Sequence, residues 1–207
     1  MRKRVGILIS GRGSDAMALI RAAQDADYPA EIVLVLSNRP EAAGLEKAAQ
    51  EGIDTCAIDH RLFGKNREAH ERAVDAALHE AGVEFVALAG YMRILTPFLV
   101  EAWSGRMINV HPALLPAFTG LNTHQRALDA GVKLHGCSVH WVTHGVDEGP
   151  LIGQAAVPVL PGDDEERLAA RVLAAEHRLY PVCLAAAVSG AAAAPQPGAV
   201  LANPPFA

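Results

Sequence analysis

The chain is short of cysteine, aromatic residues and long apolar runs, and each shortage excludes a class of protein. Among 207 residues, three are cysteine and 5% are Phe, Trp or Tyr. Cys56, Cys137 and Cys183 lie far apart, form no CxxC and cannot all pair. Reduced thiols in a cytoplasmic protein are therefore expected, not a disulfide framework. No apolar run approaches the roughly 20 residues that a membrane-spanning helix needs, so no membrane partner is expected. Arg2 and Lys3 lead directly into a strand pattern, not into the apolar region of a signal peptide. Acidic residues outnumber basic ones, and the net charge of −5 argues against nonspecific nucleic-acid binding. No HExxH or Cys/His cluster occurs among the nine histidines, so no metal site is expected.

What is present is apolar content, at 51%, enough for a single domain with a real core. Continuous apolar runs at 4–10, 31–37, 54–58, 84–89 and 106–110 read as buried parallel strands. Helical patterns lie between the first four of them, at 16–23, 41–51 and 66–81, and Gly52 and Gly82 act as stops. This alternation predicts an α/β fold with an open, doubly wound, mostly parallel sheet. The pattern then changes. Residues 136–143 alternate, which predicts an antiparallel strand with one polar face, and 151–160 is a further extended segment. A long helix is expected over 164–187, with Pro181 kinking it or ending its first part. Residues 189–207 are rich in Ala and Pro and uncharged, and are expected to be a flexible tail after a domain at 1–188.

Several local patterns point to chemistry. Asn109 and His111, in an apolar strand stopped by Pro112, are spaced to face the same side of an extended backbone. An amide beside an imidazole at a strand end can hold a carbonyl oxygen and move a proton, and a carboxylate can tune the imidazole. Asp147 lies in a Gly- and Pro-flanked stretch that reads equally as a surface turn or as such a carboxylate. Gly11-Arg12-Gly13-Ser14-Asp15 joins a strand to a helix and suits a phosphate. Ser14 or Asp15 could equally be a plain helix cap. The loop lacks the third glycine of a dinucleotide fingerprint and the Lys-Ser/Thr of a P-loop. Glu176 falls on or beside the apolar face of the long helix, where a carboxylate needs a basic partner or a polar ligand. Arg67 opens a helix. Tyr91 to Leu95 follows the fourth strand at an edge where a flat apolar molecule could lie.

Five motifs occur in order: 7–14 (ILISGRGS), 87–95 (ALAGYMRIL), 108–116 (INVHPALLP), 135–140 (HGCSVH) and 146–150 (VDEGP). Together they resemble the folate-dependent phosphoribosylglycinamide formyltransferases over about residues 4–185. The resemblance implies a Rossmann-like formyltransferase fold with antiparallel C-terminal strands and a long C-terminal helix. It implies formyl transfer from 10-formyltetrahydrofolate to glycinamide ribonucleotide, as a cytoplasmic monomer or homodimer requiring no metal. By the same resemblance, Gly13, Ser14, Asp15 and Glu176 bind the ribonucleotide. Arg67, Met92, Arg93, Ile94, Leu95 and Asn109 hold the folate. Asn109, His111 and Asp147 are catalytic, with Asp147 raising the pKa of His111. Two departures stand out: Asp15 replaces the family's usual Asn, and His144-Gly145 replaces a more acidic turn. Formyltetrahydrofolate deformylase is the alternative; it shares the Asn-x-His and Asp set but normally has an extra N-terminal domain. Methionyl-tRNA formyltransferase shares the core but needs a basic C-terminal domain, unlike this uncharged C-terminus.

Overall fold

The computed structural model describes residues 1–190 and 201–202, and it divides into two compact units, Met1–Asn109 and Val110–Ala207. The first unit is built as the apolar runs require. Strands β1 (Lys3–Ile9), β2 (Ala30–Ser37), β3 (Thr55–Ala57), β4 (Phe85–Leu88) and the start of β5 (Met107–His111) are parallel, in the order β3-β2-β1-β4-β5. Val5, Ile7, Leu8 and Ile9 on β1 are all buried, which is why its sequence shows a continuous apolar run without alternation. Helices α1 (Ser14–Ala23), α2 (Ala43–Gln50) and α3 (Arg67–Glu80) are the crossovers between these strands. A short helix, α4 (Pro97–Ala102), and a 3-10 turn (His60–Phe63) have no counterpart in the periodicity, because each is too short to show one. Pro97 opens α4, where its missing N–H costs nothing.

The second unit begins within β5, where the chain passes from Asn109 to Val110. It contains α5 (Thr123–Asp129), the antiparallel pair β6 (Leu134–Trp141) and β7 (Leu151–Pro158), and α6 (Glu165–Val188). The antiparallel C-terminal strands and the long helix are as the sequence implies. Two details differ. Residues 135–140 of β6 are all buried, so His135, Ser138 and His140 form no solvent face. Ser138 is satisfied internally instead: its Oγ donates to Ala113 O at 2.7 Å and accepts from Leu115 N at 3.0 Å. Pro181 does not end α6, which runs unbroken for 24 residues. The helix is held by its buried face, including Leu168, Val172, Leu179 and Leu184, and by Asp164, whose side chain caps Arg167 N. Of the tail expected at 189–207, Leu201–Ala202 forms a two-residue strand, β8, parallel to β7. Residues 191–200 and 203–207 lie outside the described residues.

Candidate active site

In the first unit, the loop after β1 folds around glycine. Gly13 takes a left-handed conformation (φ 69°) and is itself the residue before the helix, so neither Ser14 nor Asp15 is the cap; both lie in the first turn of α1. No side chain caps this helix start. A second glycine is needed beside it. Gly44 N donates to Gly11 O at 3.0 Å, and a Cβ on Gly44 would lie 3.0 Å from Gly13 Cα and 2.5 Å from Ile9 Cδ1. Sequence reasoning missed Gly44, because a glycine in the first turn of a helical pattern looks like an ordinary weak helix former.

The loop borders a cleft of about 320 Å³ lined by residues 10–15 with Arg39, Ala89, Gly90 and Met92. A helix N-terminus and two flanking guanidiniums, Arg12 and Arg39, favour an anion there. Arg39 was not singled out from sequence; its place after a strand and before Pro40 gave only a turn signal. Asp15 works in the opposite sense. Burial raises its carboxyl to about pKa 6, against the opposing effect of its own backbone N–H.

Ser10 closes the same cleft. Its hydroxyl donates to Asn38 Oδ1 at 2.6 Å and accepts from Met92 N at 2.8 Å. The segment from Met92 to Leu95 is thereby fixed at its first residue. Arg67, at the start of α3, reaches it as well, with Nη1 donating to Ile94 O at 3.3 Å. Arg67 and the residue 92–95 segment are thus brought together, as their shared assignment requires. Met92 and Ile94 point their apolar side chains outward, 58% and 62% exposed.

In the second unit, His111 ends β5 and is 5% exposed. Its Nε2 lies 2.9 Å from Phe118 O and its Nδ1 lies 3.3 Å from Asp147 Oδ2. Both ring nitrogens therefore face acceptors. A neutral imidazole has one N–H and can serve one of them; an imidazolium can serve both. Asp147 is a turn residue, with φ 58°, and also the carboxylate held against the imidazole. The two readings of its sequence are both true of the structure. Its Oδ2 also accepts from Gly120 N at 2.9 Å. Its Oδ1 lies 3.8 Å from Nε2 of His140, whose Nδ1 pairs with Trp141 O at 2.9 Å. Burial lowers the pKa of His140, with Asp147 acting against that shift. The approach of His140 to Asp147 is not legible in the sequence, because the turn that returns the chain after β6 has no sequence signature of its direction.

The loop carrying Phe118 and Gly120 is braced by Arg126, whose Nη1 donates to Thr119 O at 2.5 Å and Leu121 O at 3.3 Å. The Arg126 guanidinium also stands 5.7 Å from the centre of the Phe118 ring. Asn109 precedes His111 by two residues on the same strand and pairs in register with Leu88 at the end of β4. Glu176 is 6% exposed on α6, so the expected buried carboxylate is present. Among the described residues, no group of three or more His, Cys, Asp or Glu side chains could hold a metal ion, and no helix is long and apolar enough to cross a membrane.

The formyl transferase family model matches residues 3–184. The chain belongs to the formyl transferase family. Among relatives, the formyl transferase of Escherichia coli named phosphoribosylglycinamide formyltransferase is 43% identical, with 86% of this chain covering 84% of that protein. A solved phosphoribosylglycinamide formyltransferase from Brucella melitensis is 55% identical with a TM-score of 0.87, covering 92% of this chain and 97% of its own. One from Coxiella burnetii, solved in complex with CHES, is 40% identical with a TM-score of 0.90, covering 99% and 100%. The trifunctional purine biosynthetic protein adenosine-3 of Drosophila pseudoobscura pseudoobscura is 51% identical over 92% of this chain. The chain spans only 14% of the length of that relative and 19% of its Bos taurus counterpart. The family fold, a mostly parallel sheet with antiparallel C-terminal strands, agrees with what the apolar runs predicted.

Proposed function

We propose that this chain transfers the formyl group of 10-formyltetrahydrofolate to the amine of N1-(5-phospho-D-ribosyl)glycinamide. The products are N2-formyl-glycinamide ribonucleotide and tetrahydrofolate, in de novo purine (IMP) biosynthesis. The observation that carries this reading is a 55% identity spanning 97% of a solved phosphoribosylglycinamide formyltransferase, in a chain that has Asn109, His111 and Asp147. Residues 1–188 are the working domain, a cytoplasmic monomer or homodimer.

The roles follow from chemistry. The glycinamide amine attacks the formyl carbon, forming a C–N bond and a developing oxyanion. Asn109 donates a hydrogen bond to that oxygen, and His111 stabilises it and supplies a proton. The bond from the carbon to the folate nitrogen then breaks and that nitrogen leaves with the proton from His111, while the attacking amine gives up one of its own protons, which restores His111. Asp147, held by Gly120 N–H, is the electrostatic partner of His111. Gly13, Ser14, Glu176 and the backbone N–H of Asp15 bind the ribonucleotide, with Arg12 and Arg39 adding positive charge beside its phosphate and the Asp15 carboxyl opposing it when ionised. Arg67, Asn109 and the segment 92–95 bind the folate.

The test is formyl transfer from 10-formyltetrahydrofolate with and without glycinamide ribonucleotide. Tetrahydrofolate release is expected only with the amine present. Release at the same rate without it overturns the reading in favour of the hydrolase alternative, which no comparison supports. The step is written without a metal, and full turnover in EDTA is expected.

A further inference from the structure

The segment 92–95 is tied to the first unit beyond its contact with Arg67. Just past its end, Thr96 N donates to Glu71 Oε1 at 2.8 Å, and the Thr96 hydroxyl donates to Glu71 Oε2. Glu71 is 2% exposed and sits one turn after Arg67 on α3, on the same side of the helix. The segment is thus held at its start by Ser10, in its middle by Arg67 and beyond its end by Glu71.

Burying a carboxylate is costly unless hydrogen bonds replace its water. Here both oxygens engage a single residue, Thr96, that flanks the segment. Thr96 precedes α4 yet makes no side-chain cap for it; its hydroxyl turns to Glu71 instead. Meanwhile Met92 and Ile94 leave their side chains exposed. The backbone is fixed while the apolar side chains stay open, which suits a flat, partly apolar ligand that hydrogen-bonds to the main chain.

We propose that Glu71 is a positioning residue that presets the 92–95 backbone for the flat ring of the folate, acting through Thr96. This rests on the reading of that segment as the folate site. Ordering a loop at the moment of binding weakens affinity, and a preset loop avoids that loss.

The experiment measures KM for 10-formyltetrahydrofolate and for glycinamide ribonucleotide separately, in the full chain and in Glu71→Ala, Glu71→Gln and Thr96→Val. Glu71→Ala is expected to raise the folate KM by about tenfold, leave the ribonucleotide KM within about twofold, and retain kcat at saturating folate. Glu71→Gln recovers most of the loss, because its amide oxygen still accepts from Thr96 N–H and its NH₂ can meet the hydroxyl. Thr96→Val, which keeps the backbone donor, raises the folate KM less and serves if Glu71→Ala does not fold. An unchanged folate KM in Thr96→Val and in any folded Glu71→Ala, or an equal rise in both KM values, overturns the inference while leaving the function intact. A parent chain that neither binds nor consumes 10-formyltetrahydrofolate overturns the functional reading, and this inference with it.

Discussion

The Asp147 carboxylate divides its oxygens between two buried histidines, Oδ2 lying 3.3 Å from Nδ1 of His111 and Oδ1 lying 3.8 Å from Nε2 of His140. The charge matters here beyond the hydrogen-bonding shape. In Asp147→Asn the amide oxygen can still accept from Gly120 N–H, so the turn is expected to survive. Loss of the charge beside His111 is expected to lower kcat by about 100-fold or more. Steady-state kinetics and thermal unfolding check this together; activity within about threefold of the parent chain would remove Asp147 from the mechanism.

Asn109 and His111 are assigned to the same developing oxyanion. Asn109→Ala and His111→Ala are each expected to lower kcat by about 100- to 1000-fold with the fold intact. The double variant is expected to lose much less than the product of the two, because groups that act as a unit are not additive. Full additivity in a double-mutant cycle would place the two side chains on separate tasks.

Asp15 gives a pH-dependent expectation. Its carboxyl is raised from 3.8 to about 6 by burial, so it gains its charge as pH rises through about 6. A carboxylate on the cleft then opposes a bound phosphate, and ribonucleotide KM is expected to increase across that range. The phosphate itself titrates near pH 6, so the comparison with Asp15→Asn isolates the side chain. That variant is expected to bind the ribonucleotide more tightly above pH 7, with a shallower pH dependence. The same shift has a sign for stability: between about pH 4 and 6 the unfolded carboxyl has lost its proton and the folded one has not, so stability falls as pH rises through that window. Denaturant midpoints of both proteins from pH 4 to 7 check the second effect.

Gly44 is expected to behave as part of the anion cleft although it contributes no side chain. In Gly44→Ala the new methyl would meet Ile9 Cδ1 at 2.5 Å, Gly13 Cα at 3.0 Å and Gly11 O at 3.1 Å, so the end of the Ile9 side chain must move and the glycine loop is expected to give slightly. A stability loss of about 1–3 kcal/mol is expected from such crowding. Ribonucleotide KM should rise while folate KM does not. Equal affinity for the ribonucleotide in the variant would show that the loop tolerates the displacement.

The fold was legible wherever a local signal coincided with burial. The run Arg4 to Ser10 specified β1 because every residue from Val5 to Ile9 except Gly6 must carry an apolar side chain into the core. The signal failed where polar groups are buried with internal partners. Alternation in 136–143 predicted one polar face, and Ser138 on it is fully covered and bonds the turn after Pro112. Of the two readings of Pro181, a helix end is excluded, because the packed face of α6 outweighs one missing donor. Asn109, His111 and Asp147 were readable as types and as motifs. The backbone partners of His111 and Asp147, Phe118 O and Gly120 N–H, were not, because backbone groups leave no trace in a sequence and the loop that delivers them has no periodicity.

Phe118 holds a left-handed backbone, φ 54°, a conformation that Asn and Asp tolerate and a bulky aromatic residue resists. A stability screen would nominate it for replacement by glycine, and the unfolding temperature of such a variant is expected to rise. Yet the carbonyl that faces His111 belongs to this residue, whose ring lies beneath Arg126 and edge-on to His135, and losing those ring contacts is expected to loosen that carbonyl. Thermal robustness and turnover are therefore opposed at Phe118, and a directed-evolution campaign that selected on heat tolerance alone would erode the histidine's setting before touching the histidine.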